Sequence, residues 1–301
     1  MRILNLGSLN FDKVYDVDHF VSEGETILCS GYHEYLGGKG LNQSLALARA
    51  GAEVYHAGAV GADGAELIRC LEEAGVQPRY IKRTAGVSGH AIIQKQSGQN
   101  CIIVCGGANQ CVEQSYIRSV LEHFEARDIL LLQNEISNVA FAMEQAKKKG
   151  MKIAFNASPI TRQMEQYPLH LVDWFLINEV EGKALTGVPL EHYDEILETM
   201  REKFPDSAVV LTLGEKGVRY ISREEHCRHG IYSVPVADTT AAGDTFCGYF
   251  LAAIAREMCI PDALKTASLA SAITVSRNGA SNSIPSWEDV QDFAATHPKE
   301  M

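Results

Sequence analysis

The stretch VADTTAAGDTFCGYF, Val236 to Phe250, decides how the chain is interpreted. It places small residues and two carboxylates in front of an apolar run that predicts a buried helix beginning near residue 241. The first N–H groups of a helix have no partner within it and lie at the positive end of its dipole. Small side chains there would let an anion reach these groups. We therefore expect an anion hole made by the backbone amides of Ala241, Ala242, Gly243 and Asp244.

Asp244 indicates what this hole is for. A carboxylate at that position would repel the anion that the amides attract, so it must face a different group. An ionised Asp244 could take a proton from a hydroxyl nucleophile while a phosphoryl group arrives in line. The simpler alternative, that Thr239 or Thr240 only caps the helix, does not require the residues AAG. The combination predicts phosphoryl transfer to an alcohol.

Working outward, short apolar runs alternate with segments of helical periodicity. RILNLG, AEVYHAG, DILLLQ, MKIAFN, DWFLIN and AVVLTLG are typical strands, and the segments between most of them have the 3.6-residue period of helices. Helices are also predicted at Asp244 to Glu257, at Pro261 to Val275 and after Pro285. This alternation predicts an α/β fold: a doubly wound, mostly parallel sheet with helices on both faces. No linker or repeat divides residues 1–301, so one domain is expected.

Two segments interrupt the alternation. Residues 13–36 and 88–106 carry turn signals between short alternating runs, without a helix between them, and this pattern is typical of antiparallel ribbons. We predict that they form a small β-sheet beside the main one, acting as a lid.

Polar residues follow five of the predicted strands, where parallel sheets bind ligands. They include Asn10, Asp12, Asn134 and Glu135. Three short segments belong to the same group: Ala157-Ser158-Pro159, EVEG at 179–182 and LGEKG at 213–217. Each alone is typical of a turn or a cap, but five at one sheet edge favour a binding site. The glycine-rich YLGGKGLNQ lacks the spacing of a nucleotide P-loop, and GAVGADG lacks that of a dinucleotide fingerprint.

Composition narrows the class of protein. A net charge of -11 argues against general binding to nucleic acid or an anionic membrane. The N-terminus has no signal-peptide pattern and no apolar run is long enough for a bilayer, which favours a cytoplasmic location. The eight cysteines are expected to be reduced and mostly buried, and the histidines lack zinc-site spacing.

In order along the chain, GSLNFD, GGKGLNQ, GAVGADG, NEVEG, TLGEKG, DTTAAGDTF and SRNGASNSIP resemble the ribokinase family of sugar kinases, also called the phosphofructokinase B family. The resemblance covers nearly the whole chain, and Ala rather than Gly at position 241 is typical of the family's ribokinase branch. One departure is Tyr249, where the family usually has a small residue. That difference puts the local packing of the helix in question, not the anion hole.

The resemblance implies roles for individual residues. Asp244 resembles the catalytic base and the 241 to 244 amides the anion hole. The set that contacts the sugar would be Asn10, Asp12, Gly38, Lys39, Asn42, Glu135 and Asp244. Nucleotide binding would involve Asn178, Thr212, Leu213, Gly214, Glu215, Lys216, Gly217, Gly243 and Ser268. Glu181 resembles a residue that holds Mg²⁺ through water, and a K⁺ site would comprise Asp238, Thr240, Thr274, Arg277, Gly279 and Ser283. The lid would also form a homodimer interface.

The predicted activity is ATP-dependent and Mg²⁺-dependent phosphorylation of the primary hydroxyl of a pentose, D-ribose to D-ribose 5-phosphate. Independently of the family, Asp12 and Glu135 would accept hydrogen bonds from sugar hydroxyls and repel a sugar phosphate. Kinases for deoxyribose, a fructose-like ketose, another hexose or a nucleoside stay open as alternatives, as does a sensor that binds sugar without catalysis. A pocket rich in carboxylates favours a ligand with many hydroxyls.

Overall fold

The fold is described from a computed structural model, for residues 1–97 and 99–297. The strands are β1 (Ile3–Leu6), β2 (Asn10–Asp16), β3 (Gly31–Gly37), β4 (Val54–Val60), β5 (Gln77–Arg83), β6 (Gly89–Gln96), β7 (Gln99–Cys105), β8 (Ile129–Gln133), β9 (Lys152–Asn156), β10 (Trp174–Asn178), β11 (Ala208–Thr212), β12 (Val218–Ile221) and β13 (His226–His229). The α-helices are α1 (Lys39–Arg49), α2 (Ala65–Glu73), α3 (Gln114–Leu121), α4 (Val139–Lys148), α5 (Glu179–Thr186), α6 (Tyr193–Lys203), α7 (Ala242–Ala255), α8 (Ile260–Val275) and α9 (Trp287–Thr296).

Nine strands form the main sheet in the order β13-β12-β11-β10-β9-β8-β1-β4-β5. The seven strands from β11 to β5 are parallel, and β12 and β13 add an antiparallel edge. Side chains alternate across this sheet. Ile3 of β1 joins one buried cluster with α1, α2, α7 and α8, whereas Leu4 joins a second cluster with α3, α4 and α6. The predicted doubly wound, mostly parallel sheet with helices on both faces is confirmed.

The small sheet has the order β3-β2-β6-β7. Its outer pairs are antiparallel, as predicted, but the central pair, β2 with β6, is parallel. The chain reaches β6 by way of β4, α2 and β5 of the main sheet, so the two hairpins run side by side in the same direction. Strand β2 begins at Asn10, before the predicted lid segment 13–36. It therefore includes both Asn10 and Asp12.

Helix ends follow the expected backbone chemistry. Gly51, Gly75 and Gly150 follow α1, α2 and α4 with φ of 80°, 84° and 76°, the left-handed conformation that ends many helices. The helix predicted to begin near residue 241 begins at Ala242. Ala241, not a threonine, occupies its N-cap, and neither Thr239 nor Thr240 supplies a side-chain cap.

Tyr249 lies in the middle of α7 and is fully buried. Its hydroxyl donates a hydrogen bond to the carbonyl oxygen of Pro285 at 2.9 Å, and its ring stacks on Trp287 with 6.5 Å between centroids. The bulky residue is therefore accommodated by the segment that leads into α9. The ring fills the space between α7 and the end of the chain, and the phenol satisfies a backbone acceptor there.

The expectation for the cysteines is wrong in one respect. All eight are free, but Cys247 is buried and Cys29, Cys101, Cys105, Cys111 and Cys259 are exposed. Three of the exposed ones belong to the small sheet or to the β2–β3 connection: Cys101 and Cys105 lie on β7, which is exposed along its whole length, and Cys29 lies before β3. Among the described residues, no helix combines the length and apolar character needed to cross a membrane.

Candidate active site

Two neighbouring cavities lie where the predicted site residues converge. The larger, of about 790 Å³, lies between the small sheet, the start of α1 and the segments before α7 and after α8. The smaller, of about 240 Å³, lies at the ends of β9, β10 and β11 and the start of α7. Both cavities are lined by Lys39, Thr239, Ala241 and Asp244. A group bound in one therefore meets a group bound in the other at the N-terminus of α7.

The turn into α1 brings backbone close to the larger cavity. Gly38 has φ of 92°, a conformation that side chains rarely adopt, and it occupies the N-cap of α1. A Cβ on Gly40 would overlap the backbone of Gly7 and Ser8, so only glycine lets this turn pack on the end of β1. The result places the predicted sugar contacts Gly38, Lys39 and Asn42 on one wall of the cavity.

Three more predicted sugar contacts, Asn10, Asp12 and Glu135, line the same cavity. Glu135 accepts hydrogen bonds from the Ser8 hydroxyl and, at 3.1 Å, from the backbone N–H of Lys39. Asn10 Oδ1 accepts a bond of 2.7 Å from Asn109 Nδ2. All seven residues predicted to contact the sugar are thus brought together, Asp244 included.

The carboxyl groups of this cavity are not equivalent. Burial, together with the negative charges of Glu135 and Asp244, raises the pKa of Asp12 to about 7. Burial also raises the pKa of Glu135, although the Lys39 charge and the hydrogen bonds from Ser8 and Lys39 oppose the shift. From the sequence, Asp12 was predicted only to accept hydrogen bonds. In the absence of a ligand it titrates near neutral pH and carries a proton part of the time.

Lys39 supplies the positive charge between these groups. Burial lowers the pKa of its ammonium, but the charges of Asp244, Glu135 and Glu181 outweigh that effect and raise it. Lys39 therefore stays protonated. One half-buried cation thus lies among carboxylates from both cavities, where it can attract an anion without giving the larger cavity a net positive charge.

The start of α7 has the features expected of an anion site, with one difference. Among the described residues, the N–H groups of Ala241, Gly243 and Asp244 have no hydrogen-bond acceptor, whereas that of Ala242 donates to Thr239 O at 3.3 Å. Ala241 is in the left-handed conformation with φ of 61°, which costs a residue with a Cβ about 1–2 kcal/mol. A Cβ on Gly243 would meet no atom within 4 Å and would project into the open space.

Asp244 itself is buried and held from α1. Its Oδ1 accepts a hydrogen bond of 2.8 Å from Gln43 Nε2, and its Oδ2 accepts one of 3.1 Å from Asn42 Nδ2. Two adjacent side chains of one helix thus fix both oxygens of the carboxylate. Neither donor was predicted to do so, and Gln43 was not predicted as a site residue.

In the smaller cavity lie Asn178, Glu181, Thr212 and Gly243, all predicted to bind nucleotide, phosphate or Mg²⁺. Asn178 and Glu181 also form the capping box of α5, in which Asn178 Oδ1 accepts from the Glu181 N–H and Glu181 Oε2 accepts from the Asn178 N–H, both at 2.9 Å. Among the described residues, Asn178 Nδ2 and Glu181 Oε1 make no further hydrogen bond. Those two atoms are left for a ligand.

The rest of the predicted nucleotide set lies apart from both cavities. Leu213 is buried in the core, and the turn after it closes through a 2.8 Å bond from Leu213 N to Gly217 O. Lys216 Nζ donates to the hydroxyl of Tyr193 at 2.8 Å, on the surface. Ser268 is half-buried on α8. None of the following lines either cavity: Leu213, Gly214, Glu215, Lys216, Gly217 and Ser268.

The predicted K⁺ set is brought together only in part. Asp238 accepts hydrogen bonds from the Thr240 N–H and hydroxyl and, at 3.3 Å, from Gly279 N, so it joins the segment before α7 to the segment after α8. Thr274 Oγ1 donates to Thr245, and Ser283 Oγ donates to Ala280 O. Arg277 contacts Asp289 at 3.3 Å instead. The side chains are largely occupied, which leaves backbone carbonyls as the candidate ligands.

Two further polar residues, which were not predicted, contact the residues that line the larger cavity. Asn109 is buried, and its side chain contacts Asn10 and the backbone of Leu9. Ser8 contacts Glu135 and, at 3.2 Å, the N–H of Gly40. A polar residue at the end of a strand could have suggested Ser8. Asn109 lies in a short 3₁₀ turn after β7, far from any strand end of the main sheet.

Comparison with known proteins identifies the family. Residues 2–287 match the model of the pfkB family carbohydrate kinases. A ribokinase of Haemophilus influenzae is 34% identical over 299 residues, 96% of either chain, and a deoxyribokinase of Salmonella typhi is 29% identical over 301 residues, 97% of this chain and 98% of the other.

Two solved structures are also similar. A ribokinase of Cryptococcus neoformans in complex with ADP has a TM-score of 0.83 at 31% identity, covering 97% of this chain and 99% of the other. A ribokinase of Arabidopsis thaliana complexed with ribose and ATP has a TM-score of 0.84 at 27% identity, covering 97% of each chain. The chain belongs to the pfkB family of carbohydrate kinases.

Proposed function

We propose that the protein transfers the γ-phosphoryl group of ATP to the primary hydroxyl of D-ribose and forms D-ribose 5-phosphate. The observation that carries this proposal is the junction of the two cavities at Asp244. One cavity has carboxylates and amides suited to hydroxyl groups, the other has unpaired amides at a helix N-terminus suited to phosphate, and the same carboxylate borders both.

In this mechanism Asp244 accepts the proton of the sugar hydroxyl as its oxygen attacks the γ-phosphorus. The bond from that phosphorus to the bridging oxygen of ADP breaks, and ADP leaves with the bonding electrons. The N–H groups of Gly243 and Asp244 then stabilise the negative charge of the moving phosphoryl group. Lys39 at the junction adds a positive charge that stabilises the phosphate oxygens. ADP can therefore leave as an anion, without being protonated.

The smaller cavity fits a hydrated Mg²⁺. Glu181 Oε1 and Asn178 Nδ2 line it and make no hydrogen bond with any described residue, and Mg²⁺ in kinase sites keeps several waters and few protein ligands. Glu181 would hold the ion through water, and Asn178 would contact a phosphate oxygen. When bound, the ion would neutralise phosphate charge during transfer.

Ribose is proposed over 2-deoxyribose because Asp12, Glu135, Asn10 and Asn42 line the cavity and the buried Asn42 Oδ1 has no partner among the described residues. Such acceptors favour a ligand that brings more hydroxyl donors. A ligand without the 2-hydroxyl would leave one of them unpaired, so the protein should prefer ribose at least about 10-fold. The 29% identical deoxyribokinase makes this the sharpest alternative.

The test is a panel of sugars with ADP release as the readout: D-ribose, 2-deoxy-D-ribose, D-fructose, a hexose and inosine. The proposal expects the highest kcat/KM with ribose. A higher value with another sugar would overturn ribose as the substrate and leave the phosphoryl-transfer mechanism standing. No ADP release with any sugar would favour a sensor that binds sugar without catalysis.

Several further features are part of the same proposal. We propose K⁺ binding by carbonyls near Asp238 and Gly279, which border the larger cavity. A homodimer formed through the small sheet is proposed because the edge strand β7 is exposed along its length and its Ile103, unlike Ile102 and Val104, does not line the larger cavity. A cytoplasmic location and a single domain, 1–301, with a lid formed by about 13–36 and 88–106, complete the description.

A further inference from the structure

Gln43 is fully buried and makes the shorter of the two hydrogen bonds that the Asp244 carboxylate accepts from α1. Its Nε2 lies 2.8 Å from Asp244 Oδ1. It does not line either cavity, unlike its neighbour Asn42. It therefore cannot contact a sugar or a phosphate in those cavities directly. Its effect on the reaction must pass through the carboxylate.

The amide of Gln43 is itself held by side chains from two strands of the main sheet. Its Oε1 accepts a hydrogen bond of 2.6 Å from Gln133 Nε2 on β8, and its Nε2 also lies 3.0 Å from Asn156 Oδ1 on β9. Gln133 Nε2 in turn contacts Asn5 Oδ1 on β1 at 2.9 Å. The network thus ties the carboxylate of α7 to three adjacent strands of the main sheet.

These contacts allow only one orientation of the Gln43 amide. If it were turned by 180°, its carbonyl oxygen would face two acceptors, Asp244 and Asn156, and its NH₂ group would face the NH₂ group of Gln133. The strands therefore hold a hydrogen-bond donor against the carboxylate. In a buried network such a fixed donor also fixes the orientation of its acceptor.

We propose that Gln43 is a positioning residue for phosphoryl transfer: it sets the orientation of the Asp244 carboxylate toward the incoming hydroxyl. The proposal rests on the proposed function in taking Asp244 as the base. It requires only that some sugar be phosphorylated, whichever sugar that is.

Two variants of similar size test the proposal. Gln43→Met keeps the length of the side chain and removes the donor, and it should lower kcat about 10-fold to 100-fold while the Kd for the sugar, measured by calorimetry, changes less than 3-fold. Gln43→Glu replaces the donor with a second carboxyl group beside Asp244. It should move the acidic limb of the kcat/KM profile to higher pH by at least one unit.

Other charged or titratable groups near Asp244 are Lys39, Asp12, Glu135, Glu181 and Cys247. They are unchanged in both variants, so a shift of the profile reports on Gln43. Ser44→Ala is the matched control. Ser44 is also fully buried on α1 and contacts the same network through Asn5, 2.8 Å away, but does not touch Asp244. It should lower Tm as the Gln43 variants do and leave kcat within 2-fold.

The result that overturns the proposal is a Gln43→Met enzyme with wild-type kcat, or a Ser44→Ala enzyme as slow as Gln43→Met, because the effect would then be general disruption of the core. If Gln43→Glu does not fold, Gln43→Met alone decides. All variants are assayed with the best substrate of the wild-type panel. A wild type that is inactive with every sugar refutes the proposed function; an active wild type with unaffected variants refutes only the role of Gln43.

Discussion

Lys39 and Asp244, an ammonium and a carboxylate, both line the larger and the smaller cavity. Their opposite charges stabilise each other where water is scarce, and the negative charges of Asp244, Glu135 and Glu181 raise the pKa of Lys39 despite its burial. Without Lys39, the carboxylates of Asp244, Glu135 and Glu181 would lose the cation that offsets their charge. The pair therefore lets one small region serve a proton acceptor and a phosphate.

The first prediction concerns the base. Asp244→Asn keeps the size of the side chain and the contacts to Asn42 or Gln43 in altered form, but it cannot accept a proton. We expect sugar and ATP binding within a few-fold of wild type and a kcat lower by about 10²-fold to 10⁴-fold. Steady-state kinetics with calorimetric binding controls measure both. A folded variant with near wild-type kcat would remove Asp244 from the mechanism.

The second prediction concerns pH and Asp12. Its pKa of about 7 in the folded protein lies above its ordinary value of 3.8, so the unfolded chain releases this proton between pH 4 and 7 while the folded protein keeps it. Stability is therefore lost as pH rises through that window, and the loss is complete above pH 7. Asp12→Asn should stabilise the ligand-free protein more at pH 8 than at pH 5.5, by on the order of 2 kcal/mol.

Urea unfolding at the two pH values checks this difference. The same Asp12→Asn change should weaken ribose binding about 10-fold to 150-fold, since it removes a charged acceptor. Equal stabilisation at both pH values would contradict the raised pKa.

A third prediction addresses the monovalent cation. K⁺ at carbonyl oxygens near Asp238 should raise Tm and activity above the values in Na⁺ or Tris buffers of equal ionic strength. Asp238→Ala should abolish the difference, because Asp238 holds Gly279 and Thr240 in place. Thermal unfolding in the three buffers gives the answer without an activity assay. Identical melting curves would exclude the site.

The fourth prediction concerns Tyr249. Tyr249→Phe keeps the buried ring but leaves the carbonyl of Pro285 without its donor, which should cost about 1–3 kcal/mol of folding stability. Tyr32→Phe removes a hydroxyl that contacts Glu34 on the surface and should change stability by less than about 0.5 kcal/mol. Chemical unfolding compares the two. Similar small effects would show that the Pro285 contact contributes little.

Much of the fold was predictable because strand and helix periods are strong along the β1 to β11 region. Runs such as Leu130 to Leu132 are buried on both faces and are apolar throughout. By contrast, β5 was missed because its burial is mixed and its sequence, QPRYIKR, is largely polar. The edge strands β12 and β13 are only four residues long, and β13, with the sequence HCRH, consists mainly of histidine and arginine.

The site was predictable where chemistry follows a strand end or a helix start, as at Asp12, Glu135 and Gly243. It was not predictable where a long-range contact creates the role. Gln133 and Asn156 lie 90 and 113 residues after Gln43 in the chain. They meet it only after the sheet has formed. No local pattern distinguishes such an amide from one that faces solvent.

Because β2 begins at Asn10, the small sheet also supplies polar side chains to the larger cavity. Asn10 and Asp12 belong to the same strand as the hairpin that covers the cavity, and a Cβ on Gly37, opposite Asn10 in β3, would overlap the Asp12 carboxylate. A displacement of β2 would therefore carry these two side chains with it. A codon change in this one strand would thus alter both the wall of the larger cavity and its polar lining.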